Sequence, residues 1–426
     1  MHDRSNNLWW ATAGERAVAP ALSGQAKADI AIIGAGIMGT SAALALAEAG
    51  ADVAVLEAGE VGEGASSRPG GFVVPHLSVG SPEEVRERIG DVADTLLPMV
   101  GRSAQAVFDR IRAYGIDCDA RQGGWYHPAH AVGAMERVRD IVIQWERLGF
   151  PGEMLDARQT TERTSAQGYV GSWFAASGGT LHPLRYCRGM MDAASTRGAR
   201  LYERSRILGI EAQPGSYRLV TERGALVADR VLVCTNGLSS ALAPSMTATI
   251  VPLRVWQCAT EPLPAEWTAH LFRNGECLSD TRRNLFTYRV DSEGRIMTGA
   301  LDAFATSPSR SAAIMARRLK AMLGLPDVPR IQHMWWGDGS LSAPRYPASM
   351  VVNGGIISAS ACNARGIALS SVVGEALADH LLTGAPLPLP TLGGASRASA
   401  GLQSRLSNFY PHIAPLLDWL DARRHD

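Results

Sequence analysis

Three glycines and one acid carry the first recognisable chemistry in this chain. Gly34, Gly36 and Gly39 form a G-x-G-x-x-G pattern within "DIAIIGAGIMGTSAALALAEAGADVAVLEA", and Glu57 stands near the end of that stretch. Gly34 permits a tight strand-to-helix turn. Gly36 removes a side chain where a pyrophosphate must touch backbone, and Ile37 and Met38 open the helix beside it. Gly39 lets the helix lie close to the strand. The helix N-terminus offers N–H groups and a partial positive charge to phosphates. Glu57 can accept hydrogen bonds from a ribose diol and would repel a 2′-phosphate. These residues predict a dinucleotide site, and they fit a nicotinamide and a flavin dinucleotide equally well.

The next segment separates the two. Residues 63–73, "EGASSRPGGFV", follow the acid with small residues instead of another strand–helix unit. Ala65, Gly70 and Gly71 allow close approach to the backbone. Ser66 and Ser67 can bond phosphate or ribitol, and Arg68 can answer phosphate charge or flavin heteroatoms. The loop returns directly to an apolar run, which predicts FAD. Near the other end of the chain, "GGIISASACN" reads as a strand ending in small residues. "ARGIALSSVVGEALADHLLTG" then reads as an apolar helix stopped by Gly384 and Pro386. Its start, Asn363, Arg365, Gly366 and Ile367, would point a positive helix end at the ring and stabilise a reduced, anionic flavin.

The elements that must position these residues alternate along the chain. Strands are predicted at 29–34, 53–57, 215–221, 226–235, 285–290, 295–300 and 356–360. Helices are predicted at 38–49, 83–113, 131–149, 182–197, 308–323 and 366–383. At 426 residues the chain exceeds one comfortable core, so two domains are expected. Basic and acidic residues balance at 41 each, so no basic field is available for nucleic acid. Six cysteines without a C-x-x-C pair argue against a metal site or disulfide framework and suit a reducing, cytoplasmic setting. No membrane span is expected, because the apolar stretch after Asp29 is broken by glycines and ends at acids.

Taken together, the motifs resemble the D-amino-acid oxidase superfamily of flavoproteins, in particular the branch of glycine and sarcosine oxidases and gamma-glutamylputrescine oxidase. The family's G-A-S-x-R-N-G-G loop is matched by Gly64, Ala65, Ser66, Arg68, Gly70 and Gly71, with Pro69 where asparagine is common. Further matches are "GGTLHPLRYCRGM", "ADRVLVCTNG", "VPLRVWQCATEPL" and "ISASACNARGIALSSVVGEALADHLLTG". The resemblance implies a mixed α/β (α+β) chain: a Rossmann-like FAD-binding domain (28–95, 165–239 and 335–390) with an inserted antiparallel-sheet substrate domain (96–164 and 240–334). A helical tail is expected at 391–426.

The resemblance also implies oxidation of the C–N bond of a small amine or amino acid, by hydride transfer to flavin N5 and hydrolysis of an imine. Oxygen or a quinone or other carrier would accept the electrons. FAD is expected to be non-covalent, because residues 335–350 hold no cysteine and Arg68 and Pro69 stand where some relatives link through histidine. His76 is read as structural. Relatives commonly begin the return helix with G-H-G, where this chain has Ala364, Arg365 and Gly366. Pro344 falls where relatives often carry an acid, with Asp338 nearby. Candidate substrate-site residues are Arg254, Trp256, Tyr288, Arg289, His333, Trp335, Trp336, Arg345, Tyr346 and Arg365. Arg365 ranks first as a catalytic residue, followed by Arg254 and Tyr288. The alternatives are an NAD-linked dehydrogenase, a flavoprotein acting on another small substrate such as a hydroxy acid, and a non-catalytic FAD-binding subunit.

Overall fold

The structure is a computed structural model. It describes residues 4–393 except 79, 239–241, 243, 248, 273, 302–306, 343–344 and 353–354. The remainder of the expected helical tail, 394–426, and Pro344 lie outside the described residues.

One sheet is built around the glycine-motif strand. Strand Gly24–Ile33 pairs in parallel with Val53–Leu56 on one side and Gly224–Val233 on the other. Arg200–Tyr202 extends the first side, and Ile356–Ser360 the second, also in parallel. Ala348–Val352 closes that edge antiparallel. The aliphatic runs in the inner strands suit a parallel sheet covered by helices. Helix Ile37–Glu48 is buried almost all round. It lies between the sheet and the return helix Gly366–Thr383, and a Cβ on Gly374 would stand 2.4 Å from the Met38 carbonyl oxygen. Helices Ala93–Tyr114 and Pro183–Thr196 join the same core.

The second sheet runs, in order, Ile331–Ser342, Ile250–Thr260, Ile296–Leu301, Thr287–Val290, Cys277–Ser279, Trp125–Ala129, Gly171–Ala175 and Glu153–Asp156. Its neighbours are antiparallel except Cys277–Ser279 beside Trp125–Ala129.

The sheets divide the chain differently from the expected boundaries. Gly171–Ala175 and Ile331–Ser342 were assigned wholly or partly to the cofactor half, yet both are strands of the second sheet. Helix Ala93–Tyr114 is expected mostly in the substrate half, yet it packs with the helices of the first sheet, where Arg110 pairs with Glu375 of the return helix. The single helix predicted over 83–113 is two helices, Pro82–Ile89 and Ala93–Tyr114, separated at Gly90, whose φ is +57°. Among the described residues no helix is long and apolar enough to cross a membrane.

Candidate functional site

A cavity of about 1550 Å³ lies between the two sheets, with walls from both. Single small-molecule pockets occupy roughly 300–1,000 Å³, so this one has room for a large cofactor and a second molecule.

At one end the glycine motif forms the wall. Gly34 turns the chain at φ +100°, and Gly36 caps helix Ile37–Glu48 without a side-chain partner. Ser66 Oγ accepts a hydrogen bond from Ile37 N at 3.0 Å, and a Cβ on Gly36 would come within 2.9 Å of that oxygen. Gly39 does not line the cavity. Its role is packing, since a Cβ there would sit 1.9 Å from the Gly34 oxygen. The Glu57 carboxylate accepts from Ala35 N and Gly59 N, each at 2.8 Å. Burial raises its pKa, and the two backbone bonds oppose that rise. Each carboxylate oxygen keeps lone-pair capacity for a hydroxyl.

The loop at 63–73 is held from outside by the N-terminal segment. Gly64, Ala65, Ser66, Arg68, Pro69 and Gly70 face the cavity. Ser67 is a correction to the expected cofactor contacts, because it is buried and faces away. Its carbonyl accepts from Asn7 Nδ2 at 2.9 Å and its Oγ from Trp10 Nε1 at 3.2 Å. Gly71 is also off the wall. Its φ is +78°, and a Cβ would meet Arg289 Nη1 and the Leu181 oxygen at 2.3 Å. Trp335 Nε1 donates to the Arg68 oxygen at 3.0 Å, which ties the loop to the second sheet.

At the other end the return helix begins. Asn363 and Ala364 both have positive φ, 38° and 62°, making the sharp turn that sends Arg365, Gly366 and Ile367 to the wall. Asn363 is a joint, not a wall residue: its Oδ1 accepts from Ser342 N at 2.8 Å and Ser342 Oγ at 3.1 Å. Arg365 Cζ lies 5.0 Å from the Trp125 ring centroid. Its Nε is buried with no hydrogen-bond partner, and no carboxylate among the described residues pairs with the guanidinium. Burial lowers its pKa to about 10, so it remains a cation at neutral pH.

Two expected catalytic residues are elsewhere. Strand parity places Leu253, Val255 and Gln257 on the cavity wall and turns Arg254, Trp256 and Cys258 to the opposite face. Arg254 stacks on Trp336 at 4.0 Å and reaches Asp338 at 3.4 Å. Tyr288 is wholly buried, stacks on Phe272 at 4.5 Å and donates its hydroxyl to the Thr164 oxygen. Arg289 is likewise internal, donating to Gly71 O at 3.0 Å and Leu181 O at 2.7 Å. His333, Trp335, Trp336 and Tyr346 do not line the cavity, whereas Arg345 does. His76 is stacked between Trp145 and Trp173, at 4.5 and 4.6 Å. Sequence reading missed Gln257 and His127. The first was available from its two-residue spacing to Val255, and the second carried no local signal.

Comparisons with known proteins show the family and the fold. The family model for "FAD dependent oxidoreductase" (DAO) matches residues 29–380. The chain is 29% identical over 374 residues to the probable oxidoreductase OrdL of Haemophilus influenzae, covering 85% of each. It is 29% identical over 389 residues to gamma-glutamylputrescine oxidoreductase of Escherichia coli, covering 89% of this chain and 90% of that one. Glycine oxidase from Geobacillus kaustophilus shares the fold with a TM-score of 0.69 at 20% identity, covering 83% of this chain and 94% of the other. An L-amino acid deaminase from Proteus vulgaris lacking its specific insertion sequence gives 0.72 at 20% identity, covering 88% and 94%. The chain therefore belongs to the DAO family of FAD dependent oxidoreductases.

Proposed function

We propose that this oxidoreductase removes hydride from the carbon beside nitrogen in a small amine that also carries a carboxylate. The observation that carries the reading is Arg365: a half-buried cation on the cavity wall, at the start of a helix, its Nε wholly buried and with no carboxylate among the described residues to pair with it. A buried charge is costly unless compensated, and a ligand carboxylate matches the planar fork of a guanidinium.

The residues present fit FAD. Gly36 and Gly70 line the cavity without side chains, and a Cβ at Gly70 would clash with the Phe72 ring at 2.4 Å and Gln257 Oε1 at 2.8 Å. Glu57 has acceptor capacity for a ribose diol, and the helix at Ile37 offers N–H groups to phosphate. FAD supplies the two-electron acceptor for a C–N oxidation, whose imine product hydrolyses. The chain's own part is to bind, orient and desolvate. Arg365 fixes one end of the substrate, and Leu253, Val255 and Gln257 supply further wall, Gln257 beside Gly70 of the loop at 63–73. A general base is not required for the hydride step, provided the amine is neutral when it reacts.

Two measurements on the purified protein test the reading. Acid denaturation should release all flavin into the supernatant, as expected of a non-covalent cofactor. Anaerobic mixing with aminocarboxylates should bleach the flavin, while the corresponding hydroxy acids should not. Bleaching by hydroxy acids alone would assign the other chemistry to the site. No bleaching by either class would favour a non-catalytic subunit.

A further inference from the structure

The cavity wall holds a second chemical group that the hydride chemistry leaves unused. His127 lies on strand Trp125–Ala129, two residues from Trp125 and so on the same face. Its ring stacks on that indole at 4.9 Å and 25°. Its Nδ1 is 2.7 Å from the Ser279 carbonyl oxygen. A carbonyl oxygen only accepts, so Nδ1 carries the proton and donates it. In the neutral ring Nε2 is then an acceptor; the ring lines the cavity, and among the described residues none hydrogen-bonds to Nε2. Trp125 Nε1 donates to Ser279 Oγ at 2.8 Å, so both aromatic rings are fixed by one residue.

The surroundings keep His127 neutral. Burial, and then the charge of Arg365, lower its pKa to about 4. His76, the other histidine of this cluster, is held at about 3 by burial, Arg365 and His127. The Asp280 carboxylate, next to Ser279, is already engaged by Tyr169, Arg282 and the Phe286 N–H.

Among the described residues, one indole is therefore bordered by a cation without a carboxylate and by an imidazole acceptor without a donor. These two groups complement a molecule that carries both an anion and an N–H. Resting on the carboxylate clamp argued above, we propose that His127 Nε2 accepts a hydrogen bond from the amine N–H of a substrate whose carboxylate sits on Arg365. The site then selects aminocarboxylates over simple amines and simple carboxylates. A ring that does not protonate near neutral pH never repels the incoming ammonium group.

The test compares probe pairs that differ only in the amine: glycine with acetate, β-alanine with propanoate, and 4-aminobutanoate with butanoate. Dissociation constants for the FAD-loaded protein are read from the flavin absorbance shift, or from saturation of anaerobic bleaching where a probe reacts. Wild type should bind at least one amino member more tightly than its partner. His127→Phe should weaken that amino member by about ten- to a hundredfold, the range of one hydrogen bond to a charged group, and leave the simple carboxylate unchanged. His127→Asn, which keeps an acceptor oxygen, should retain part of the preference. Equal weakening of both members, or an undiminished preference in His127→Phe, overturns the proposal. Arg365→Ala separates the two readings, because it must weaken both members of a pair; otherwise the clamp itself fails. Histidine ¹⁵N resonances of wild-type protein give a check independent of any variant. His127 should show a protonated Nδ1 and bare Nε2 at neutral pH, and Nε2 should shift with the amino probe but not with its partner. An Nε2 signal that ignores both probes also overturns the proposal.

Discussion

Trp9 Nε1 donates to the Pro69 carbonyl oxygen at 2.7 Å, so a residue in the first turn of the chain holds the loop that faces the cavity. The same indole packs at 5.9 Å against Trp335, and the neighbouring Trp10 ring carries Arg4 at 3.9 Å. Arg4 continues to Glu60 and Glu63 on the loop's approach. The N-terminal segment is thus a brace on that loop. Trp9→Phe should lose the hydrogen bond, about 1 kcal/mol, and a part of the indole's packing. Trp9→Ala should cost about 3–5 kcal/mol by opening a cavity under the loop. Thermal melts with and without added FAD check this. The alanine variant should lose more of its FAD-dependent stabilisation than of its apoprotein stability.

Glu57→Gln should weaken FAD binding. A carboxylate that accepts two backbone N–H groups becomes an amide whose NH₂ opposes one of them. The expected loss is about 1.5–3 kcal/mol, measured as the FAD dissociation constant after apoprotein reconstitution. Unchanged affinity would remove Glu57 from the ribose site.

Arg365→Lys keeps the charge and loses the planar fork, and Arg365→Ala loses both. A carboxylate clamp predicts that both variants lose about 1.5–3 kcal/mol of substrate affinity, with the flavin potential little changed in the lysine variant. Lowered potential in alanine alone, with affinity intact, would instead assign Arg365 to the reduced flavin. Steady-state kinetics and a redox titration on both variants distinguish these outcomes.

Tyr288→Phe should reduce stability by about 1 kcal/mol and leave kcat and KM near wild type, because the hydroxyl serves the Thr164 carbonyl inside a core. A large fall in kcat at unchanged stability would return Tyr288 to the active site.

Acidification should destabilise the folded chain. Burial holds His76 and His182 at about 3 and His127 at about 4, against an ordinary value of 6.5. The unfolded chain protonates these histidines first on going down in pH. Their neutral form therefore contributes stability above about pH 6.5, and that stability is lost as pH falls toward 4. Each fully linked histidine gives a slope of about 1.4 kcal/mol per pH unit, with His127 least because it faces the cavity. Denaturant unfolding from pH 7 to 4.5 should show net proton uptake, reduced by about one proton in His76→Phe.

The cofactor half was legible because its constraints are local. A glycine turn, an alanine-rich helix and an acid at the next strand's end each show in a few consecutive residues, and the structure assembles them in one wall. The substrate half was not, because side-chain direction in a strand depends on register. Arg254 and Gln257 share a strand, and only the pairing of Trp256 with Trp336 and of Val255 with Leu301 fixes which of them faces inward. Tyr288 was misplaced for the same reason. Ser67 looked like a phosphate ligand by type, but Asn7 and Trp10, about sixty residues away, claim it. His127 was invisible because its meaning comes from Ser279 and Arg365, which are distant in sequence.

The order of strands in the first sheet also sets a timetable for making the protein. Gly24–Ile33 leaves the ribosome early, but its neighbour Gly224–Val233 follows only after about half of the chain has been translated and the next strand Ile356–Ser360 only after most of it. At roughly 5–20 residues per second, that central strand waits on the order of tens of seconds for both. During that interval its four consecutive apolar residues, Ile30–Ile33, stand as an unpaired edge. Yield in a heterologous host should therefore respond to chaperone supply and growth temperature more than to any change at the active site.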